Sequence, residues 1–265
     1  DKMVSRLGLT GLQFTKVANG CATGGTALST AYNAIISGAY DIGIAIGFDK
    51  HPRGAFSSDE PVHPVNGGLD WYGGSGMAIN PQFFSIKINR YMNKYGISHK
   101  ALALVAAKAT RNGSMNPMAW RKKAFTAEEV LQSKMLAYPL TQYMFCSPGE
   151  GGVAMVLCKA TEARKYTNKP IFLKAAVMRS RRFGSFEVMS SWLPKEENVG
   201  PTVYASVAAF EKAGIGPEDV DVAQLQDTES GAEIMHMAEN GFCEDGEQED
   251  MLRKGETEIN GRLPI

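Results

Sequence analysis

Apolar positions along this chain come in short runs and in helical stripes that take turns, which predicts alternating strands and helices. The run Leu12-Gln13-Phe14-Thr15-Lys16-Val17-Ala18 leads into a segment where Ala22, Ala27, Leu28, Ala31, Ala34 and Ile35 recur at helical spacing as far as Gly38. Residues 41–48 follow as a second strand, so this part predicts a strand–helix–strand unit with parallel strands. Residues 83–95 are amphipathic, with Phe84, Ile88, Tyr91 and Met92 on one face and Gly96 as the stop. Residues 99–112 form an Ala-rich helix. A third helix, 127–135, is opened by Thr126 with Glu128 and Glu129 in its first turn. Residues 152–158 are continuously apolar, the pattern of a strand buried on both faces. A short helix at 161–166, a strand at 171–178, a helix at 202–213, a strand at 221–226 and a helix at 231–240 stopped by Gly241 complete an α/β pattern in both halves. Residues 51–82 are rich in Gly, Pro and Ser and are expected to be an irregular excursion, facing substrate or covering the surface.

Cys21 falls at the predicted turn from the first strand into the first helix. Unpaired N–H groups and the positive end of the helix dipole converge there and favour a thiolate over a thiol. The Gly, Ala, Thr and Ser surface of the helix is slim enough for packing between two sheets, where we expect it. That is how a buried nucleophilic cysteine is built. A small buried hydrophobe is the plainer role of a free cysteine.

The decapeptide Asn19-Gly20-Cys21-Ala22-Thr23-Gly24-Gly25-Thr26-Ala27-Leu28 resembles the nucleophile motif of the thiolases, most nearly the sterol-carrier-protein (lipid-transfer) type, where the string is Asn-Asn-Cys-Ala-Thr-Gly-Ser-Thr-Ala-Leu. Residues 41–50 resemble that family's next strand and its Gly-Phe-Glu-Lys turn, and residues 146–154 its Cys-Pro-Thr-Ser-Asp-Gly-Ala-Ala segment. Asn240-Gly241-Phe242-Cys243 and Gly261-Arg262-Leu263-Pro264-Ile265 match late landmarks, so the resemblance runs in order along the chain. It implies a thiolase fold, a duplicated five-layer α-β-α-β-α sandwich. Residues 1–50 with 146–165 would belong to the N-terminal half, 51–145 to a loop and cover region, and 166–265 to the C-terminal half. It also implies strands and helices before residue 1, a Gly-rich loop with a catalytic His and often a Cys after Ile265, and a homodimer paired along the strand near residues 39–47.

The resemblance places Gln226-Asp227-Thr228-Glu229 where the family carries His-Asp-Cys-Phe or Asn-Glu-Ala-Phe. In that family the first His or Asn of the string helps to hold a water that polarises the thioester oxygen. Gln226 can still donate a hydrogen bond to an oxyanion but cannot shuttle a proton. Glu229 stands where an aromatic packs; it is either a solvated carboxylate at a helix start or, with Asp227, an acid/base group. His51 and His63, in the excursion, are candidates for touching substrate. His236 lies inside a helix and reads as structural. Arg179, Arg181 and Arg182 form a basic stretch suited to coenzyme A phosphates or to a solvated edge. Cys146, Cys158 and Cys243 read as structural.

Composition narrows the classes. Lys and Arg number 28 and Asp and Glu 28, so charge offers no argument for a nucleic-acid partner. The four cysteines have no framework or metal spacing, so neither a disulfide scaffold nor a metal site is expected, and a cytoplasmic setting is the default. No apolar run approaches a membrane span. The expectation is a thiolase-like acyltransferase of lipid metabolism, taking acyl-coenzyme A as substrate with no cofactor and making or breaking a C–C bond through Cys21. One alternative is a retro-aldolase of steroid side-chain coenzyme A esters working with a small OB-fold partner. Another is a non-catalytic lipid-binding subunit. Acyl chain and reaction direction are left open.

Overall fold

The computed structural model describes residues 2–51, 79–147, 149–182 and 199–265. In chain order these form α1 (Lys2–Arg6), α2 (Thr23–Ile36), β1 (Ile42–Lys50), α3 (Asn80–Tyr95), α4 (His99–Met115), α5 (Ala127–Gln132), β2 (Met135–Ala137), β3 (Leu140–Thr141) and a 3-10 turn, Gln142–Met144. Next come β4 (Glu150–Cys158), a 3-10 turn at Ala160–Lys165, α6 (Pro201–Ala213), a 3-10 turn at Pro217–Asp219, α7 (Ser230–Glu239) and α8 (Gln248–Arg253). The chain divides into two compact units, residues 1–49 with 151–178 and residues 50–150 with 179–265.

In the first unit β1 and β4 pair with each other. The Lys159 N–H donates to Asp41 at one end of the ladder, and the His51 N–H to Gly149 beyond the other, so the strands run antiparallel. Two corrections follow. Residues 12–18, expected as a strand parallel to β1, join no ladder, and an apolar run without a partner gains none of the cross-strand contacts that make a strand. Residues 152–158 do form a strand, but an accessible one rather than one buried on both faces. The helix after Cys21 is corrected too. Only Ser29 and Ile35 of α2 are buried. Its Ala31 and Ile35 lie against Gly43 of β1, and residues 12–18 form no strand.

The second unit holds the continuous core. Ile88, Leu102, Val130, Leu140 and Ile234 are fully buried there. The helix caps are those the side chains call for. Thr126 accepts from the Glu129 N–H (3.1 Å) and the Glu129 carboxylate from the Thr126 N–H (2.8 Å), starting α5. Gly96 and Gly214, at φ 73° and 72°, end α3 and α6. Helix α5 stops short of the expected 135 because Met135 turns away to pair with Thr141. The slim central helix is found here as α4, whose buried residues include Ala101, Ala103, Ala106 and Ala107. It packs against α5, α7 and α8. Helix α7 is buried from Ser230 to Met237. Gly231 makes this packing feasible: a Cβ there would overlap Ile88 of α3. Residues 161–166, expected as a helix, form the tighter 3-10 turn. Residues 171–178 and 221–226, expected as strands, are irregular.

Candidate active site

The first unit carries the Cys21 turn. Gly20 takes φ 50°, a left-handed conformation open to glycine, and this turns the chain just before the cysteine. Asn19 then braces the start of α2 twice. Its N–H donates to Thr23 Oγ1 (2.9 Å) and its side-chain Nδ2 to Thr26 Oγ1 (3.1 Å). The two threonine hydroxyls donate in turn to the carbonyls of Gly20 and Ala22, at 2.7 and 3.0 Å. Cys21 is therefore held on a hydrogen-bonded corner two residues before α2, and it is exposed rather than buried. Thr26 Oγ1 also lies 3.3 Å from Met178 Sδ, which ties the corner to residue 178.

The second unit carries residues 226–229. This segment is pinned to residues 144–147: the Cys146 N–H donates to the Thr228 carbonyl (2.9 Å), and Phe145 and Glu229 form an antiparallel bridge. Arg121 holds the same segment from behind. Its Nε donates to Ser147 Oγ (2.7 Å) and its Nη2 to the Phe145 carbonyl (2.9 Å). Burial lowers the Arg121 pKa, with Cys146 and Tyr143 opposing that shift.

Glu229 caps α7 by accepting the Gly231 N–H. It stands at the helix start as expected, but it is 1% exposed and not solvated. Phe145 bridges its backbone, Ile88 and its Oε2 both lie beside Gly231, and its Oε1 has no hydrogen-bond partner. Burial pushes its carboxyl up to about 7, with Asp227 adding to the rise and the Gly231 and Ala232 N–H groups and Lys87 pulling against it. Asp227 is raised as well by the protein around it, although its residue surface is accessible. Below them Lys108 Nζ of α4 meets Glu233 Oε1 of α7 at 2.5 Å in the core.

Gln226 is accessible. Its Nε2 donates to Thr228 Oγ1 and its Oε1 lies 3.2 Å from His236 Nε2. His236 Nδ1 lies 2.6 Å from Glu239 Oε2. Burial pushes the Glu239 carboxyl up, but His236, Lys87 and Thr202 outweigh that and hold it below its usual value. Sequence reasoning took His236 as structural and passed over Glu239. Their three-residue spacing, which puts both on one helix face, was the available signal. Lys108, Glu233 and Arg121 carried no such local signal.

Arg179, Arg181 and Arg182 are exposed, and Arg182 lies over the Tyr204 ring at 3.9 Å. His51 is exposed, and His63 lies outside the described residues. Cys243 has its thiol pushed up to about 12 by burial and by Glu247 and Asp245, which removes it as a nucleophile near neutral pH. Among the described residues no helix is long and apolar enough to cross a membrane.

Comparison with known proteins gives a consistent picture. The family described as "Thiolase C-terminal domain-like" matches residues 194–265. The chain is 32% identical to an acetyl-CoA acetyltransferase of Methanothermobacter thermautotrophicus, over 97% of this chain and 65% of that one. It is 30% identical to sterol carrier protein 2 of Gallus gallus, over 98% of this chain and 48% of the relative, so it spans about half the length of that protein. Among solved structures it is similar to the Ltp2-ChsH2(DUF35) aldolase, with a TM-score of 0.81 at 24% identity, over 98% of this chain and 68% of that one.

Proposed function

We propose, since the chain belongs to the thiolase superfamily and has its α/β fold, that it acts on acyl-coenzyme A thioesters through Cys21. In this reading the Cys21 sulfur attacks the acyl carbonyl, a new S–C bond forms, and coenzyme A leaves as its thiolate. The carbonyl oxygen is negative on the way, and the Gln226 side-chain NH2 with backbone N–H groups is the donor set for it. In the bond-making direction the enolate carbon of a second acyl-coenzyme A then attacks the acyl-enzyme carbonyl, forming the C–C bond and releasing Cys21 as its thiolate. In the bond-breaking direction Cys21 attacks the 3-keto carbon, the C–C bond breaks to release an acyl-coenzyme A enolate that is protonated, and coenzyme A takes the acyl group from Cys21. Arg179, Arg181 and Arg182 are the cationic groups suited to the coenzyme A phosphates.

The observation that carries this reading is the Cys21 corner. The residues of the decapeptide that resemble the nucleophile motif are those that build the hydrogen-bonded turn, Asn19, Thr23 and Thr26, and they leave the thiol accessible. The test is alkylation. Iodoacetamide should modify Cys21 ahead of Cys146, Cys158 and Cys243, and acetyl-coenzyme A should protect it while adding one acetyl mass to the chain. Equal alkylation of all four with no acetyl adduct overturns the reading.

A second reading has its own support. The raised carboxyls of Asp227 and Glu229 supply acid/base groups of the kind a retro-aldol cleavage needs. The fold also matches that of a chain in an Ltp2-ChsH2(DUF35) aldolase. In this reading the substrate is a steroid side-chain coenzyme A ester and a small OB-fold protein binds alongside. Glu229→Gln then abolishes cleavage while Cys21→Ala spares it. Either enzyme would be a homodimer. β1 pairs on one side with β4, and Ile42 and Ile44 are exposed. Light scattering at micromolar concentration that gives a monomer counts against this assembly.

A further inference from the structure

In the second unit the segment that carries Gln226 is clamped to residues 144–147 by three contacts. Ser230 Oγ donates to the Met144 carbonyl (3.4 Å), Phe145 and Glu229 form an antiparallel bridge, and the Cys146 N–H donates to the Thr228 carbonyl (2.9 Å). So short a pairing of two segments holds weakly by itself, and what lies under it decides whether it stays shut. The Glu229 side chain lies under it, 1% exposed. One carboxyl oxygen accepts the Gly231 N–H, and Oε1 is buried without a hydrogen-bond partner. A carboxylate in that place keeps charge on an oxygen that nothing solvates; a carboxylic acid costs far less. The closed clamp therefore suits the acid form.

The charges on the surrounding elements do not reverse this. Lys87 of α3 favours the carboxylate, as do the Gly231 and Ala232 N–H groups of α7, Asp227 opposes it, and burial outweighs the three that favour it. Lys108 of α4 is engaged by Glu233 of α7. On the facing segment, Arg121 is turned to Ser147 and the Phe145 carbonyl, and Cys146 is exposed. Opening the clamp lets water reach the carboxyl, which then ionises near its ordinary 4.5 instead of about 7. Between those two values the open form binds fewer protons than the closed one, so rising pH favours opening. Below 4.5 both forms are protonated and above 7 both are ionised, so the balance stops moving. Opening should grow about tenfold per pH unit across the window, and roughly three hundredfold in all.

We propose that Glu229 is a proton-operated latch: as the acid it holds residues 226–229 against residues 144–147, and as the carboxylate it lets them part. Gln226 rides on one side of the clamp and Cys146 on the other, so the latch sets how firmly both are held. It stands whichever of the two reactions the chain carries out, because it concerns the segment and not the chemistry. The test is native-state amide exchange on the whole 15N-labelled chain, corrected for the intrinsic exchange rate at each pH. The Cys146 N–H reports the clamp, and the Leu102 N–H of α4 reports unfolding of the whole unit. Protection at Cys146 should fall about tenfold per pH unit from pH 4.5 to 7 and then level off. Low concentrations of urea should barely change it, because a local opening exposes little surface, while protection at Leu102 falls steeply. In Glu229→Gln the Cys146 profile should be flat. Lys87→Met removes a cation that favours the carboxylate, so its profile should level off at higher pH. Protection at Cys146 that is constant from pH 4.5 to 7 in the parent overturns the proposal, as does the parental slope persisting in Glu229→Gln. Equal urea dependence at Cys146 and Leu102 overturns it too, because the clamp then opens only with the whole unit. Should Glu229→Gln not fold, Lys87→Met decides: a levelling point that does not move assigns the slope to another group, and the latch fails.

Discussion

Glu229→Gln should make the protein more stable above neutral pH, and the size of the gain can be worked out. The carboxyl is almost wholly buried and has one oxygen without a partner. Burial lifts it from the ordinary 4.5 to about 7. A group raised in the folded state stabilises the protein below its unfolded pKa, and that contribution is lost as pH rises through the folded pKa. The window therefore opens near 4.5 and closes just above 7. At about 1.4 kcal/mol per pH unit the loss across it is on the order of 3 kcal/mol. Glutamine has the same shape, keeps an oxygen for the Gly231 N–H and does not titrate. Urea unfolding of parent and variant at pH 4.5, 6, 7 and 8 should give nearly equal stabilities at the acid end and a growing advantage for the variant at the alkaline end. A difference that stays constant from pH 4.5 to 8 would mean that Glu229 folds as a carboxylate, and the reasoning about its burial would be wrong.

Further expectations are simpler. Cys21→Ala should cost little stability, because the side chain is exposed, and should abolish acetyl transfer; full turnover in this variant with any acyl-coenzyme A ester the parent processes removes Cys21 as nucleophile. Lys108→Met strands Glu233 in the core and should cost about 3–5 kcal/mol in urea unfolding; a loss below about 1 kcal/mol would mean that the pair is not buried in solution. Thr126→Ala removes half of the α5 capping box and should cost about 1 kcal/mol, with a matching fall in midpoint; no change would show that the cap is not formed.

The parts of this fold legible from sequence are those whose signals are local. Thr126 with Glu129, Gly96 and Gly214 each settle a helix end from side chains a few residues apart, and the observed ends lie near the expected ones. Two strands, expected at 41–48 and 152–158, formed near those bounds, but three others did not. Residues 12–18, 171–178 and 221–226 have apolar runs, but a strand exists only where a second segment pairs with it, and alternation cannot report a missing partner. The slim helix was a related case: small residues permit close packing on two sides without requiring it, and the chain buries α4 instead of α2. At the candidate site, the place of Glu229 at a helix start followed from the apolar pattern beyond it. Its burial did not, because Ile88 and Phe145 come from far along the chain.

The β1–β4 ladder leaves a question of alignment. In most sheets a one-residue slip is forbidden because it would move the apolar set from the core to solvent. Here both strands are largely accessible, so that penalty is weak. The ladder ends carry what discrimination remains: Asp41 meets Lys159 at 2.6 Å at one end and Lys50 lies 3.8 Å from Glu150 at the other. Sliding either strand separates both couples at once. Alignment is thus entrusted to exposed charge, which added salt screens. In concentrated salt the ladder should admit neighbouring alignments, seen as faster amide exchange in β1 and β4 than in the helices around Leu102 and Ile234.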